Sequence, residues 1–138
     1  MNKNDDVIYT ATVSSTGGRD GASRSSDGRL DIKLSAPGSA GLGSNPEQLL
    51  AAGWSACFIG ALGLAARKMK VTLPAETANA VEIDLCLRDG EYFLQARHNV
   101  SLPGLEPTVA RALVDLAHQT CPYSKATRGN VNVELNLT

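Results

Sequence analysis

Residues 45–69 read NPEQLLAAGWSACFIGALGLAARKM. From Leu49 to Ala66, eighteen residues pass without a charge, and Cys57 stands at the middle. Asn45 is suited to cap a helix, because its side-chain oxygen can accept from an orphan backbone N–H. Pro46 fits the first helical position, and Gln48 completes a capping box. Arg67, Lys68 and Lys70 lie near the far end, where cations suit the helix dipole. The stretch predicts a helix of about seven turns. It shows no polar face within the eighteen residues, so burial nearly all round is expected. The length also fits a bilayer span of about 20 residues. Gly53, Gly60, Gly63, Ser55 and the alanines make it small rather than greasy, which favours a core helix that neighbours can approach closely. A chain of 138 residues has little material to wrap such a helix completely, so a partner subunit on one side is a natural suggestion.

Outward from this helix the chain reads as strands and one further helix. Residues 7–14 (VIYTATVS) are β-branched and aromatic and predict a strand. Residues 15–28 (STGGRDGASRSSDG) predict a loop, with turn signals on both sides of Arg19. Residues 29–35 alternate Leu30, Ile32 and Leu34 as a half-buried strand does, and 36–44 form a Gly/Ser linker. Residues 80–88 and 91–102 predict a hairpin around Asp89-Gly90. Its second strand places Leu94, Ala96, His98 and Val100 on one face, where His98 reads as a satisfied sheet histidine. Pro107 opens a helix over 107–120 with Val109, Leu113, Leu116 and Ala117 as its stripe. CPYSKATRGN (121–130) predicts a compact turn or short helix, and 131–137 a last strand. The order is ββαββαβ: one α+β domain, 1–138, with mostly antiparallel pairing around the central helix.

The net charge is −1 with scattered Lys and Arg, which argues against nucleic acid and against a polybasic membrane footprint. The first ten residues lack the apolar core of a signal peptide, so a cytoplasmic protein is expected. Cys57, Cys86 and Cys121 are too few and too spread for a disulfide framework. No CxxC pair exists and neither His98 nor His118 has ligand-like spacing to a cysteine, so no metal is expected.

The plain reading of Cys57 is a small core hydrophobe. The alternative is a reactive thiol, with room beside it left by glycines and alanines and with Cys121 placed in a turn that can move. A free cysteine with a pKa of about 8.5 is only a few per cent thiolate at neutral pH, and burial lowers that fraction further. A working Cys57 therefore needs a cation. Arg19 stays charged wherever it goes, and Glu47, in the first turn of the helix, could hold it in a bidentate pair. Arg19 as a solvated loop residue is the competing account. Ten residues separate Glu47 from Cys57, about 15 Å along a helix, so the two do not touch within one chain.

GGRDG (17–21), NPEQLLAAGWSACFIGAL (45–62) and CPYSKATRGN (121–130) closely resemble the organic hydroperoxide resistance proteins, of the osmotically inducible protein C superfamily. Leu50 and Trp54 stand where that family often has Phe and Tyr, and Cys86 matches none of its motifs. The resemblance implies a metal-free thiol peroxidase with no bound cofactor. Cys57 would be the peroxidatic thiolate and Cys121 the resolving thiol. Arg19 would stabilise the thiolate, and Glu47 would orient Arg19. It further implies a lipoylated protein, through its dihydrolipoyl dithiol, as reductant, and an intertwined homodimer with two interfacial sites. A general peroxidase of the osmotically inducible type and a redox-sensing domain without turnover are the alternatives.

Overall fold

In the computed structural model, which describes residues 6–138, the 45–69 stretch is helical as expected. Helix α1 spans Pro46–Met69, with Glu47 in its first turn and Arg67 and Lys68 in its last. It closes in a Schellman arrangement. The Lys70 N–H donates to the Arg67 carbonyl at 3.3 Å, and the Val71 N–H to that of Ala66 at 2.9 Å. Lys70 holds φ 57°, a left-handed conformation more often given to glycine.

Contacts divide the chain into two compact units, one ending at Pro46 and one running Glu47–Thr138. The amino-terminal unit is an antiparallel sheet of β1 (Val13–Thr16), β2 (Ala22–Ser25) and β3 (Asp31–Lys33), in that order. The expected strand over 7–14 begins only at Val13. Val7, Ile8 and Tyr9 are exposed, and strand propensity without a neighbouring strand does not make a strand. The first five residues of the decapeptide read for a signal sequence lie outside the described residues. The expected loop over 15–28 holds both a 3-10 turn, Gly18–Asp20, and β2. Ala22-Ser23-Arg24-Ser25 has little strand character of its own. It is fixed by pairing on both edges, Thr16↔Ala22 on one side and Ala22↔Lys33 on the other. Gly21 enables the return, because a Cβ there would sit 1.7 Å from the Thr16 carbonyl oxygen.

The second unit adds β4 (Ala78–Arg88), β5 (Glu91–Ser101), α2 (Pro107–Thr120), α3 (Pro122–Thr127) and β6 (Asn132–Leu137). Asp89 and Gly90 take φ 52° and 80°, the paired left-handed values of a two-residue type I′ hairpin. The β4–β5 pairing runs in register from Ala78↔Ser101 to Arg88↔Glu91. Strand β6 pairs with β5 in parallel, from Gln95↔Asn132 to Val100↔Leu137. The other pairings among the described strands are antiparallel, as mostly expected, and α2 and α3 supply the long crossover that this parallel one requires.

The core forms where Trp54, Phe58, Leu62 and Ala65 of α1 meet Ala96 and Val100 of β5 and Leu113, Val114 and Ala117 of α2. The expectation of burial all round α1 is corrected here. Only 33% of its most apolar window is buried, and Ala52, Ala56, Gly60 and Leu64 run along an exposed line at four-residue spacing. One sheet and two short helices can cover one side of a seven-turn helix and no more. By length and composition α1 would also suffice to cross a membrane.

Candidate active site

Cys57 stands half-buried at the middle of α1, and Cys121 is fully buried at the junction of α2 and α3. The Cys121 thiol donates to Cys57 Sγ at 3.4 Å. A disulfide needs about 2.05 Å, so the sulfurs stand roughly 1.4 Å from bonding distance. The junction is built by local rules. The Cys121 N–H ends α2 by bonding the Ala117 carbonyl at 2.8 Å, and its carbonyl accepts from Lys125 N–H at 2.9 Å to begin α3. Pro122 occupies the first helical position of α3, where a missing N–H costs nothing.

Burial pushes the Cys57 thiol above its ordinary pKa, the Tyr123 backbone N–H opposes this, and the adjoining Cys121 thiol pushes the same way as burial. A thiol so placed is a poor nucleophile until a positive charge favours its ionised form. The Tyr123 hydroxyl lies over Gly53, one turn before Cys57: a Cβ on Gly53 would come within 2.7 Å of it.

Beside the thiol pair lies a polar group that the sequence reading did not single out. Trp54 Nε1–H donates to Ser124 Oγ at 3.2 Å, and Ser124 Oγ is 2.9 Å from His118 Nδ1. Trp54 and Ser124 are both fully buried. The signal was present in the spacing: W-S-A-C and C-P-Y-S each set a polar-capable side chain three residues from a cysteine.

Glu47 is half-buried in the first turn of α1, ten residues before Cys57 on one unbroken helix and so about 15 Å along it. Arg19 lies in the 3-10 turn Gly18–Asp20 of the amino-terminal unit, where its side of the chain is exposed. Asp20 of the same turn accepts from the Ala36 N–H at 3.2 Å. Cys86 sits on β4 opposite Phe93, outside the thiol pair. Among the described residues no three His, Cys, Asp or Glu side chains converge as metal ligands do.

Residues 36–136 match the family described as OsmC-like protein. The chain belongs to that family. An organic hydroperoxide resistance protein of Xanthomonas axonopodis pv. citri is 45% identical over 135 residues, covering 95% of each chain. The crystal structure of the organic hydroperoxide resistance protein OhrB of Bacillus subtilis superposes with a TM-score of 0.87 at 41% identity, over 96% of this chain and 100% of that one. That of an organic hydroperoxide resistance protein from Legionella pneumophila gives 0.89 at 36% identity, over 96% and 99%. The α+β architecture of this OsmC-like chain is therefore that of crystallised hydroperoxide resistance proteins.

Proposed function

We propose that this chain is a cysteine-based peroxidase that reduces organic hydroperoxides to alcohols. The observation that carries the reading is the 3.4 Å separation of Cys57 and Cys121 within a chain whose relatives are named for organic hydroperoxide resistance. In the first step the Cys57 thiolate attacks the distal oxygen of ROOH. The O–O bond breaks, RO⁻ takes up a proton and leaves as ROH, and Cys57 becomes a sulfenic acid. In the second, Cys121 attacks that sulfur, the S–S bond forms and water leaves. An external dithiol then restores both thiols by exchange through a mixed disulfide.

Arg19 supplies the positive charge that the raised Cys57 pKa calls for and steadies the charge developing on the peroxide, and Glu47 orients it. The apolar surroundings of Cys57, which packs against the hydrophobic core as Leu50 does, suit an alkyl or fatty-acid hydroperoxide better than hydrogen peroxide. The reductant in this reading is the dihydrolipoyl group of a lipoylated protein, acting in the cytoplasm. The functional unit is a homodimer in which a second copy covers the open side of α1.

The deciding experiment is turnover with cumene hydroperoxide, a fatty-acid hydroperoxide and hydrogen peroxide, each with dihydrolipoamide or glutathione as reductant. Preferred turnover of the organic substrates with dihydrolipoamide is expected. Equal rates on hydrogen peroxide would point to a general peroxidase. One equivalent consumed and then silence, despite added dithiol, would point to a redox sensor.

A further inference from the structure

Helices α1 and α3 meet through two contacts of equal spacing. On α1, Trp54 precedes Cys57 by three residues, so the two share a helix face; Ser124 of α3 follows Cys121, the cap of that helix, by three. The two pairs oppose each other, Cys57 to Cys121 at 3.4 Å and Trp54 Nε1 to Ser124 Oγ at 3.2 Å. The indole N–H can only donate, so Ser124 accepts it, and the Ser124 hydroxyl is free to donate to His118 Nδ1 at 2.9 Å. His118 lies in the last turn of α2, where the Arg128 guanidinium donates to its carbonyl at 2.6 Å. The six-residue α3, whose Cys121 cap makes no side-chain cap bond, is thus tied on one side to α1 and on the other to α2.

We propose that Ser124, held between Trp54 and His118, is a positioning residue for disulfide closure: it sets the register of α3 against α1 and so the reach of Cys121 toward Cys57. The proposal rests on the peroxidase reading and extends it to the second step. There Cys57–SOH and Cys121–SH give the disulfide and water, and the sulfurs must close by roughly 1.4 Å. The Trp54–Ser124 bond keeps the two helix faces opposed while they do so. The first step takes place at Cys57, with Arg19 as its cation, before Cys121 takes part, and does not need that bond.

The variants are Ser124→Ala, which removes the acceptor, and Trp54→Phe, which keeps an aromatic ring and removes the donor. Trp54→Tyr returns a donor to the ring. Quenched-flow mass spectrometry after one equivalent of cumene hydroperoxide follows thiol loss, trapped sulfenic acid and disulfide separately. Both single variants are expected to lose thiol within about twofold of the wild-type rate but to form the disulfide about tenfold more slowly, the scale of one buried hydrogen bond. Over-oxidised Cys57 should appear at lower peroxide, Trp54→Tyr should recover part of the closure rate, and the double variant should be no slower than either single one. A second readout needs no peroxide: in a glutathione redox buffer, the effective concentration of Cys121 toward Cys57 should fall about tenfold in Ser124→Ala.

Closure at the wild-type rate in both single variants, or an unchanged glutathione equilibrium, overturns the positioning role while leaving the peroxidase intact. Equal slowing of both steps overturns it too, since that is what a general loss of structure produces. A wild-type protein that forms no Cys57–Cys121 disulfide with peroxide overturns the peroxidase reading and this extension together.

Discussion

Cys57 and Cys121 carry the same group in different settings, the first half-buried within a long helix and the second sealed at a helix junction. Their substitutions should therefore fail differently. Cys57→Ser is expected to abolish peroxide consumption. Cys121→Ser should consume one equivalent per chain, leave a sulfenic acid that a dimedone probe traps, and over-oxidise readily. Cys86→Ser should be near silent, because Cys86 stands on β4 apart from the pair; Cys86 in the disulfide of the oxidised wild type would refute the assignment. Arg19 should act through charge and shape together. Arg19→Ala is expected to raise the Cys57 pKa further and slow peroxide reduction severely, and Arg19→Lys to rescue only part, since an ammonium lacks the planar fork. Titration of thiolate absorbance checks this, and an unchanged pKa in Arg19→Ala would remove Arg19 from the mechanism. Cys57 and Cys121 could be singled out as a pair in sequence only through the motifs that carry the family resemblance, since periodicity alone leaves Cys57 a core hydrophobe. Ser124 was not singled out, since a serine in a turn looks solvent-facing until a tryptophan 70 positions away is seen to meet it.

Among the elements, β5 shows most directly how an apolar face can hold a titratable group. Its inward line Ala96, His98, Val100 was readable from alternation, and all three are buried. His98 lies between Trp54 and Phe58, each ring centroid 4.7 Å from its own. Asn79 Nδ2 donates to His98 Nδ1 at 2.9 Å, and the buried His98 Nε2 has no hydrogen-bond partner among the described residues. Alternation tells which face a residue takes and not whether its polar atoms are met, so the satisfied histidine expected from sequence is satisfied at one nitrogen only. Burial, and secondarily the His118 charge, hold the His98 pKa down from 6.5 to about 4. In the unfolded chain this histidine gains a proton near pH 6.5, which the folded chain refuses until about pH 4. Its contribution is therefore full above 6.5 and is lost as pH falls toward 4. That loss is on the order of 3 kcal/mol, and His118, also lowered chiefly by burial, adds the same sign. Urea unfolding from about pH 7 to about pH 4.5 should show the decline, and His98→Leu should flatten it. An equally steep profile in His98→Leu would assign the acid sensitivity elsewhere. Strand β2, missed in sequence, and the parallel place of β6, a strand that was itself expected, both depend on neighbours distant in sequence, whereas α1, the β4–β5 hairpin and α2 announce themselves through local caps, turns and periodicity.

At the scale of the whole molecule, a helix apolar on every side is covered on one. Ala52, Ala56, Gly60 and Leu64 form an open line along α1, Leu64 at 59% exposure, and the β4–β5 hairpin leaves Leu87 and Tyr92 at 61% and 71%. The apolar run was plain in the sequence. Who covers it was not, because a pattern of side chains states that a face avoids water and is silent on which chain supplies the cover. Small residues let a second backbone approach closely, so the open side of α1 is shaped for another packed element rather than for solvent. The proposed homodimer should have an interface of the obligate, core-like kind, about 2,000 Å² or more in total. Folding would then be inseparable from association, and the melting temperature should rise with protein concentration. Leu64→Glu, which sets a charge on the open line seven residues beyond Cys57, should abolish that concentration dependence and lower the melting temperature. Sedimentation at micromolar concentration is the direct check, and a wild-type monomer that is folded and active would defeat the proposal. The dimer also bears on chemistry, because Glu47 and Cys57 stand about 15 Å apart along one helix. Mixing Cys57→Ser with Glu47→Ala subunits distinguishes the two ways of bringing them into one site. Recovered activity in the mixed dimer means that Glu47 of one subunit serves Cys57 of the other. No recovery means that both come from the same chain, with the long Arg19 side chain bridging the interval.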